Sequence, residues 1–257
     1  MSLLDHPVPP APPSPPEAAA SLPEAAALLP EPLPPLPAPL PRPVRPPAAR
    51  PQLWLVTTAV HEAAAARHAP LVLEPAELAR AAELRRPADR ATYLCAHVGL
   101  RRLLGSHLGV APSKVPLARA PCPCCGEPHG RPVLPDGRLH FSLSHCEGLS
   151  LIALAPAPVG VDIEPVPHPD TVSEAADVLH PAESAELAAL APDLRPDAFT
   201  RVWTRKEAYL KGLGVGLGDD PAGTRVGAGR QPAAPVGWLL ADVAVPAGHY
   251  AAVAVRL

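Results

Sequence analysis

The chain has 257 residues, of which 41 are proline and 17 glycine, and only 3% are aromatic. A formal net charge of −3 argues against broad electrostatic binding of nucleic acid, and neither a transmembrane run of about 18 apolar residues nor a secretory signal is expected. The five cysteines, three of them within four residues, do not form a spaced disulfide framework, so we expect a reducing, cytoplasmic location without a membrane.

Proline is concentrated in residues 1–51, which hold 19 of the 41. Because proline fixes φ and has no amide hydrogen to donate, this stretch cannot build helices or sheet ladders. We expect a disordered or polyproline II extension, with one short helical turn over 24–29. Docking to a proline-recognising partner is the alternative that composition leaves open. The rest of the chain, about 206 residues, is long enough for one large domain or two small lobes.

The remainder predicts alternating groups of strands and helices. A β-rich run opens it, a Cys-, Pro- and Gly-rich loop interrupts it, and Pro246-Ala247-Gly248 signals a closing hairpin. The predicted elements are a strand over 53–60, helices over 75–86 and 90–108, a loop over 121–137, strands over 140–143, 149–154 and 159–163, helices over 181–190 and 197–211, and strands over 238–245 and 249–257. The fold class is therefore α+β.

Two carboxylates follow each other at strand spacing in Gly160-Val161-Asp162-Ile163-Glu164. Because side chains alternate along a strand, Asp162 and Glu164 point to the same face. Two like charges on one face repel unless a cation lies between them, and hard oxygen ligands suit Mg²⁺ or Mn²⁺. The alternative is a solvent-facing polar side of an amphipathic strand.

The helix predicted over 197–211 places Trp203, Glu207 and Lys211 four residues apart on one face. Asp197 is expected to cap this helix and Gly212 to end it. Glu207 could be a third metal carboxylate, and Lys211 could neutralise or protonate a phosphate leaving group. An ordinary surface ion pair, worth about 0.3–0.5 kcal/mol, is the alternative.

Ser144 and His145 lie at the end of a predicted strand, where a phosphate could be met. A serine hydrolase is not indicated, because adjacent side chains rarely face each other and no Gly-x-Ser-x-Gly elbow is present. In the preceding loop, Cys122, Cys125 and His129 could hold zinc only with a fourth ligand from elsewhere in space. Reduced thiols in a tight loop are the alternative there.

Together these motifs are more specific than any one of them. The succession Gly130-Arg131-Pro132, Phe141-x-x-Ser144-His145, Gly160-Val161-Asp162-Ile163-Glu164 and Trp203-Thr204-x-Lys206-Glu207-Ala208-x-x-Lys211-x-x-Gly214-x-Gly216-Leu217 resembles the 4′-phosphopantetheinyl transferases. The resemblance covers roughly residues 53–257. It is to the larger, two-lobed, Sfp-like type that activates polyketide and nonribosomal peptide synthetases.

The resemblance implies two similar α+β lobes related by a pseudo-twofold axis, with coenzyme A in the cleft between them. We would place the lobes at 52–148 and 149–257, after the extension over 1–51. The implied reaction moves the phosphopantetheine arm of coenzyme A to a serine hydroxyl of an acyl or peptidyl carrier protein and releases 3′,5′-ADP. The implied metal is Mg²⁺, or Mn²⁺ in its place, and the expected oligomeric state is a monomer.

The resemblance also implies roles for individual residues. Asp162, Glu164 and Glu207 would hold the metal, with Glu207 or a neighbouring water taking the serine proton. Lys211 would face the pyrophosphate and stabilise the departing nucleotide. The residues implied to bind coenzyme A are Arg101, Arg131, Ser144, His145, Lys206 and Lys211. The candidates for further nucleotide contacts are Arg80, Arg85, Arg86 and Arg90.

Two other functions remain open from the sequence. A Mg²⁺-dependent coenzyme A or nucleotide pyrophosphatase could use the same carboxylates on water, and carrier dependence would separate it from a transferase. A non-catalytic carrier-binding protein would bind without turnover. The presence of all three carboxylates together with Lys211 argues against the second alternative.

Overall fold

The structure is a computed structural model and describes residues 27–38, 40, 50–122, 125–127, 130–175, 178–215 and 221–257. Within these ranges no helix is both long enough and apolar enough to cross a membrane. The secondary structure is a mixture of helices and small sheets, as the sequence predicts.

The first half builds its sheet around a long helix. A two-residue strand and a longer one precede three helices, and two short strands and a hairpin follow. The bounds are β1 (Glu31–Pro32), β2 (Gln52–Thr57), α1 (Thr58–Val72), α2 (Pro75–Glu83), α3 (Pro87–Leu108), β3 (Ala118–Arg119), β4 (Pro132–Val133), β5 (His140–Cys146) and β6 (Leu149–Ala155). The sheet order is β1-β2-β6-β5, and β3 pairs with β4 apart from it.

The second half repeats this plan with a smaller sheet. Its bounds are β7 (Val159–Pro165), α4 (Pro169–Ala175), α5 (Pro181–Ala188), α6 (Arg195–Leu213), β8 (Trp238–Asp242) and β9 (His249–Arg256). The order β7-β9-β8 matches β2-β6-β5, because in each half the last strand lies between the first and the second, with antiparallel pairing throughout.

The boundary between the halves lies later than the sequence predicts. A division at 148/149 would cut the β5–β6 hairpin, yet β6 is the central strand that pairs with both β2 and β5. Glu147 and Gly148 form its two-residue turn, with φ of 32° and 83°, as the right-handed twist of a hairpin favours. The first sheet therefore continues through Ala155, and the connection runs over 156–158.

The proline-rich region also differs from the prediction where the structure describes it. Leu28, expected in a helical turn, instead bridges to Val243 of the second half, and β1 pairs in parallel with β2 of the first half. Leu33 is only 4% exposed and belongs to the core of the first half. Residues 27–38 thus form a strap that contacts both halves, whereas residues 1–26 lie outside the described part of the chain.

A buried arginine stabilises the strap by donating hydrogen bonds to its carbonyls. Arg102 of α3 donates to the carbonyls of Pro34 at 2.9 Å and Ala38 at 3.1 Å. Gly99, one turn earlier, makes room for the strap, since a Cβ there would stand 3.0 Å from Leu33 Cδ2. A proline-rich segment has few amide donors of its own. The Arg102 side chain therefore supplies hydrogen bonds to its carbonyls.

Glycine also permits the close approach that places β7 against α6. A Cβ on Gly160 would stand 2.0 Å from the Ala208 carbonyl oxygen and 2.4 Å from the Gly212 amide nitrogen. Any side chain at Gly160 would therefore force strand and helix apart. The carboxylates of β7 and the polar face of α6 are brought together by this contact.

Several predicted ends differ in the structure. The first predicted strand stops at Thr57, and the alanine-rich stretch that follows is helix α1, which the sequence patterns did not reveal. Helix α6 begins at Arg195, so Asp197 lies in its first turn rather than at its cap. It ends at Leu213, where Gly214 with φ of 84° takes the left-handed position expected for Gly212.

Candidate active site

The centre of the candidate site is a triangle of Ser144, Asp162 and Lys211. Asp162 is 1% exposed, and its Oδ1 accepts from Ser144 Oγ at 2.8 Å and from Lys211 Nζ at 2.5 Å. Lys211 Nζ also lies 3.2 Å from Ser144 Oγ. Three elements, β5, β7 and α6, therefore place one polar side chain each at a single point. The three motifs that sequence spacing singled out meet there.

Ser142 helps to align the two strands of this triangle. Its Oγ accepts from the Val161 amide at 3.0 Å, so β5 and β7 are joined through side chains although they belong to different sheets. Ser142 and Ser144 are both buried for this reason. The polar face of β5 is thus turned toward β7 rather than toward solvent.

Glu164 and Glu207 bring further negative charge to the same region. Burial, followed by repulsion from Asp162, Glu207 and Glu147, raises the pKa of Glu164 to about 7. Burial and repulsion from Asp162 also raise the pKa of Glu207, while Lys211 acts in the opposite direction on both. The predicted carboxylates therefore lie close enough to repel one another, and one ammonium group does not neutralise them.

The chemistry of this donor set fits a hard divalent cation. Asp162 Oδ2 is a buried oxygen with no hydrogen-bond partner in the described structure, which is unusual for an ionised carboxylate. In the described residues, however, no three His, Cys, Asp or Glu side chains stand together as a ready metal site. Mg²⁺ binding by Asp162, Glu164 and Glu207 accordingly stays a prediction.

His145 lies near the turn of the β5–β6 hairpin, next to the triangle. The residue is exposed, but partial removal from water, then the positive charges of His97 and Lys211, lowers its pKa. Its ring also meets Tyr93 edge-on, with centroids 6.2 Å apart. An exposed imidazole beside an ammonium group is well placed to meet an anionic ligand.

Arg131 is connected to the site through the backbone of α6. Its Nη1 donates to the carbonyls of Lys211 at 3.4 Å and Gly212 at 3.3 Å. A cation at a helix C-terminus is favourable because the last carbonyls carry partial negative charge. Arg131 thus fixes the end of α6 from which Lys211 projects, and a nucleotide contact for it stays a prediction.

Two residues implied to bind coenzyme A are buried instead. Arg101 has a fully buried side chain that pairs with Glu74 and Glu77, each at 2.7 Å. Lys206 is 2% exposed and pairs with Glu183 at 2.7 Å, while it donates to the carbonyls of Pro221 and Thr224. Both side chains are held in ion pairs within the folded chain, and a coenzyme A contact for either of them stays a prediction.

Other sequence candidates have varied positions. Arg90 donates to the carbonyls of Ala81 and Leu84 and so joins α3 to α2. In the cysteine loop, the Cys122 amide donates to the Glu127 carbonyl at 2.7 Å. His129 and Cys124 lie outside the described residues, so zinc binding stays a prediction. Gly216 and Leu217 of the last motif also lie outside the described residues.

A neighbouring group on α3 was not predicted from the sequence. Tyr93 and His97 stack with ring centroids 3.9 Å apart, and Glu77 accepts from His97 Nδ1 at 3.0 Å. The sequence could have indicated this group through the spacing of Asp89, Tyr93 and His97, which lie four residues apart and therefore share one helix face.

Comparison with known proteins gives a family match that includes part of this site. Residues 158–242, which include β7, α6 and β8, match the 4′-phosphopantetheinyl transferase superfamily. The resemblance seen in the sequence motifs is thereby confirmed for this part of the chain.

Individual relatives carry the same description. The chain is 35% identical over 147 residues to the 4′-phosphopantetheinyl transferase HetI of Nostoc sp., which covers 55% of this chain and 59% of HetI. It is 29% identical over 179 residues to slr0495 of Synechocystis sp., covering 65% of this chain and 66% of that protein. It is 32% identical over 90 residues to the 4′-phosphopantetheinyl transferase Sfp of Bacillus subtilis, covering 35% and 40%. The chain thus spans less than two thirds of the length of these relatives.

Proposed function

We propose that this chain transfers the 4′-phosphopantetheine arm of coenzyme A to a serine hydroxyl of an acyl or peptidyl carrier protein and releases 3′,5′-ADP. The supporting observation is the meeting of Ser144, Asp162 and Lys211, with Glu164 and Glu207 in electrostatic range. A site that combines clustered carboxylates with lysine and histidine suits phosphoryl transfer, in which charge neutralisation and positioning dominate.

The proposed transfer forms one bond to phosphorus and breaks another. The serine oxygen of the carrier forms a new bond to the phosphorus that bears the pantetheine arm. The bond from that phosphorus to the oxygen bridging it to the second phosphate breaks, and the leaving nucleotide keeps the electron pair. The serine proton passes to a base.

Glu207 is the group best suited to accept that proton. Its side chain is half-buried, and its pKa is raised by burial and by Asp162. In the chain without a cation, this raised pKa makes Glu207 a stronger base than an exposed carboxylate. When a cation is bound, a water beside Glu207 is the alternative acceptor of the proton. Glu207 follows directly after the anchored Lys206, so its position on α6 is fixed.

Lys211 is the group best suited to stabilise the leaving phosphate. Its side chain is 31% exposed while its partner Asp162 is 1% exposed. A buried carboxylate therefore positions the ammonium group, which itself remains accessible to a ligand. His145 lies on the same side and is exposed. Both can donate hydrogen bonds to phosphate oxygens as negative charge accumulates there.

We further propose that Asp162, Glu164 and Glu207 hold Mg²⁺, or Mn²⁺ in its place. The unpartnered Asp162 Oδ2 and the raised pKa of Glu164 support this, because each is relieved by a bound cation. Such a cation supplies neutralisation of pyrophosphate charge and a template for the reacting phosphorus. Manganese and magnesium have similar ligand preferences, so metal substitution tests the choice.

The remaining predictions concern setting rather than chemistry. We propose polyketide or nonribosomal peptide synthesis as the pathway class, a cytoplasmic location and a monomeric state. The two-lobe arrangement with a pseudo-twofold axis belongs to the same proposal, supported by the repeated strand order of β2-β6-β5 and β7-β9-β8.

Intact-protein mass spectrometry tests the proposal. An apo carrier protein is mixed with this chain, coenzyme A and Mg²⁺, and the Glu207→Ala variant is run in parallel. We expect the carrier to gain one phosphopantetheine arm with the native chain and none with the variant. Omission of the metal, and replacement by Mn²⁺, test the cation in the same assay.

Other results would favour the alternative functions. Coenzyme A cleaved without modification of any carrier would indicate a pyrophosphatase. Carrier bound at one-to-one stoichiometry, without coenzyme A turnover, would indicate a non-catalytic binding protein. A folded chain that binds coenzyme A and modifies only one of several unrelated carriers would indicate narrow carrier specificity within the proposed function.

A further inference from the structure

The first half of the chain places a second imidazole beside His145. His97 of α3 stacks on the ring of Tyr93 with centroids 3.9 Å apart, and the Tyr93 ring meets His145 edge-on at 6.2 Å. Tyr93 is 9% exposed, whereas His97 keeps a side-chain exposure of 21%. The tyrosine is therefore the buried spacer, and the two histidines stand on either side of it.

The orientation of His97 is fixed by a carboxylate. Glu77 of α2 lies 3.0 Å from His97 Nδ1 and 2.7 Å from Arg101 Nε, and it also accepts from the Glu74 amide at 2.9 Å. Burial alone would raise the pKa of Glu77, but the hydrogen bonds from His97 and the Glu74 amide, with the charge of Arg101, lower it overall. An ionised Glu77 therefore accepts the Nδ1 proton, which fixes the ring and leaves Nε2 for another partner.

Basic groups converge on this part of the molecule. The charges of His97 and Lys211 both act on His145, and those of Arg80 and Arg119 act on Tyr93. These side chains come from five different elements: α2, α3, β3, β5 and α6. Acidic groups lie here too: Lys211 pairs with Asp162 and Arg80 with Glu83, and Asp89 and Glu77 oppose the basic groups at His145 and Tyr93. A bound phosphate would be a further acceptor for the basic side chains that face it.

We propose that His97 is an anion-binding residue that contacts a phosphate group of the nucleotide co-substrate, with Glu77 as its positioning residue. With the Glu77 carboxylate on one side and a bound phosphate on the other, the cationic form of the imidazole would donate Nδ1–H to Glu77 and Nε2–H to a phosphate oxygen, so that one ring bridges the two anions. This inference rests on the proposed function, because it takes coenzyme A as the ligand. It extends the ligand-binding surface from β5 to His97 on α3, a residue that the sequence did not single out.

Calorimetric titration of coenzyme A into the native chain and into His97→Gln tests this role. A charge-assisted hydrogen bond to phosphate predicts a loss of affinity of about 10-fold or more. In the transfer assay KM for coenzyme A rises by a similar factor while kcat changes less, because the contact is made in the ground state as well. Titration with dephospho-coenzyme A shows which phosphate is involved: a loss confined to coenzyme A assigns the 3′-phosphate, and an equal loss with both ligands assigns the pyrophosphate.

The matched control is His68→Gln. His68 is also a half-buried histidine, but its Nδ1 lies 2.8 Å from the Ala64 carbonyl of its own helix α1, so affinity should stay within about 2-fold of native. The Glu77→Gln variant should weaken binding through His97. The double variant should therefore lose little more than His97→Gln alone, since the two residues act as one unit.

Native affinity in a folded His97→Gln variant would overturn the inference, whatever Glu77→Gln does. The melting temperature of each variant shows whether it is folded, and His97→Gln suffices if Glu77→Gln unfolds because Arg101 has lost an ionised partner. Failure of the proposed function looks different: the native chain itself would then neither bind coenzyme A nor modify a carrier. A native chain that modifies its carrier normally, with His97→Gln unchanged, refutes this inference alone.

Discussion

The two halves of the molecule are built with the same device and use it differently. Helices α2 and α5 both begin with Pro-Ala-Glu, and in both the glutamate at the third helical position closes a capping box. Glu77 then pairs with Arg101 of α3, and Glu183 pairs with Lys206 of α6, each at 2.7 Å. In both halves a short helix is thus joined to the long helix by an ion pair whose basic partner is buried.

The difference lies in what else each glutamate holds. Glu77 also orients His97, whereas Glu183 accepts from the amides of Val226 at 2.6 Å and Gly227 at 2.9 Å and so fixes the chain that leads to β8. His180 Nδ1 accepts from the Ala182 amide and completes the cap. The shared pair therefore serves folding in both halves.

The carboxylates of the candidate site belong to the second half only. Strand β7 carries Asp162 and Glu164, whereas β2, which has the corresponding place in its sheet, contains no acidic residue. Glu207 follows Lys206 on α6, while Arg102 follows Arg101 on α3 and binds the strap. A repeated scaffold therefore does not imply two equivalent sites.

The largest effect is expected from Asp162→Ala. Ser144 and Lys211 lose their common acceptor, so the rate of arm transfer should fall at least about 100-fold. Mass spectrometry of the carrier gives the rate, and circular dichroism shows whether the variant is folded. Thr57→Ala at the end of β2 is the control in the other half and should retain near-native activity. A folded Asp162→Ala variant with normal activity would show that the chemistry does not depend on β7.

Glu183→Ala should be the most destabilising change in the scaffold. It leaves Lys206 as a buried unpaired charge and removes the acceptor of two buried amides, which predicts a loss of about 3–5 kcal/mol in the free energy of unfolding. Urea denaturation measures it. If the ion pair is the reason, the double variant Glu183→Leu with Lys206→Met should recover part of the loss. No recovery would mean that the amides of the loop matter more than the charge pair.

A smaller loss of stability is expected from a substitution in the strap, residues 27–38. Leu33→Ala removes a buried side chain and should lower the free energy of unfolding by about 2–4 kcal/mol. Leu29 is 82% exposed on the same strap, so Leu29→Ala should change it by less than about 0.5 kcal/mol. Equal effects of the two substitutions in urea denaturation would show that the strap does not belong to the core.

The smallest expected effect is a pH dependence of the metal-free chain. Because the pKa of Glu164 is raised to about 7, folding favours its protonated form. Its contribution is fully present below about pH 4.5 and is lost as the pH rises through about 7. Native chain should therefore lose stability relative to Glu164→Gln between pH 5 and 8, by about 1–2 kcal/mol since the side chain keeps contact with water.

Denaturation of both proteins at several pH values without divalent cation measures this difference. Added Mg²⁺ should remove the penalty in the native chain, because a bound cation favours the ionised carboxylate. A constant difference between the two proteins across this range would show that Glu164 is not held near its neighbouring carboxylates.

What the sequence determined by itself was local. Alternation along β7 placed Asp162 and Glu164 on one face, and four-residue spacing placed Glu207 and Lys211 on one side of α6, because each pattern depends only on residues a few positions apart. The order and spacing of the motifs along the chain also indicated the superfamily. The same local signals failed at helix α1, where β-branched residues at the start concealed an alanine-rich helix.

Only the tertiary structure decided which distant groups meet. Ser144, Asp162 and Lys211 come together because Gly160 lets β7 approach α6 and Ser142 joins β5 to β7. The tertiary structure also placed Arg101 and Lys206 in ion pairs with carboxylates of a preceding helix, which sequence spacing did not predict. The strap was likewise decided by packing, because Leu28 and Leu33 bond to backbone of distant strands and the carbonyls of Pro34 and Ala38 accept from Arg102.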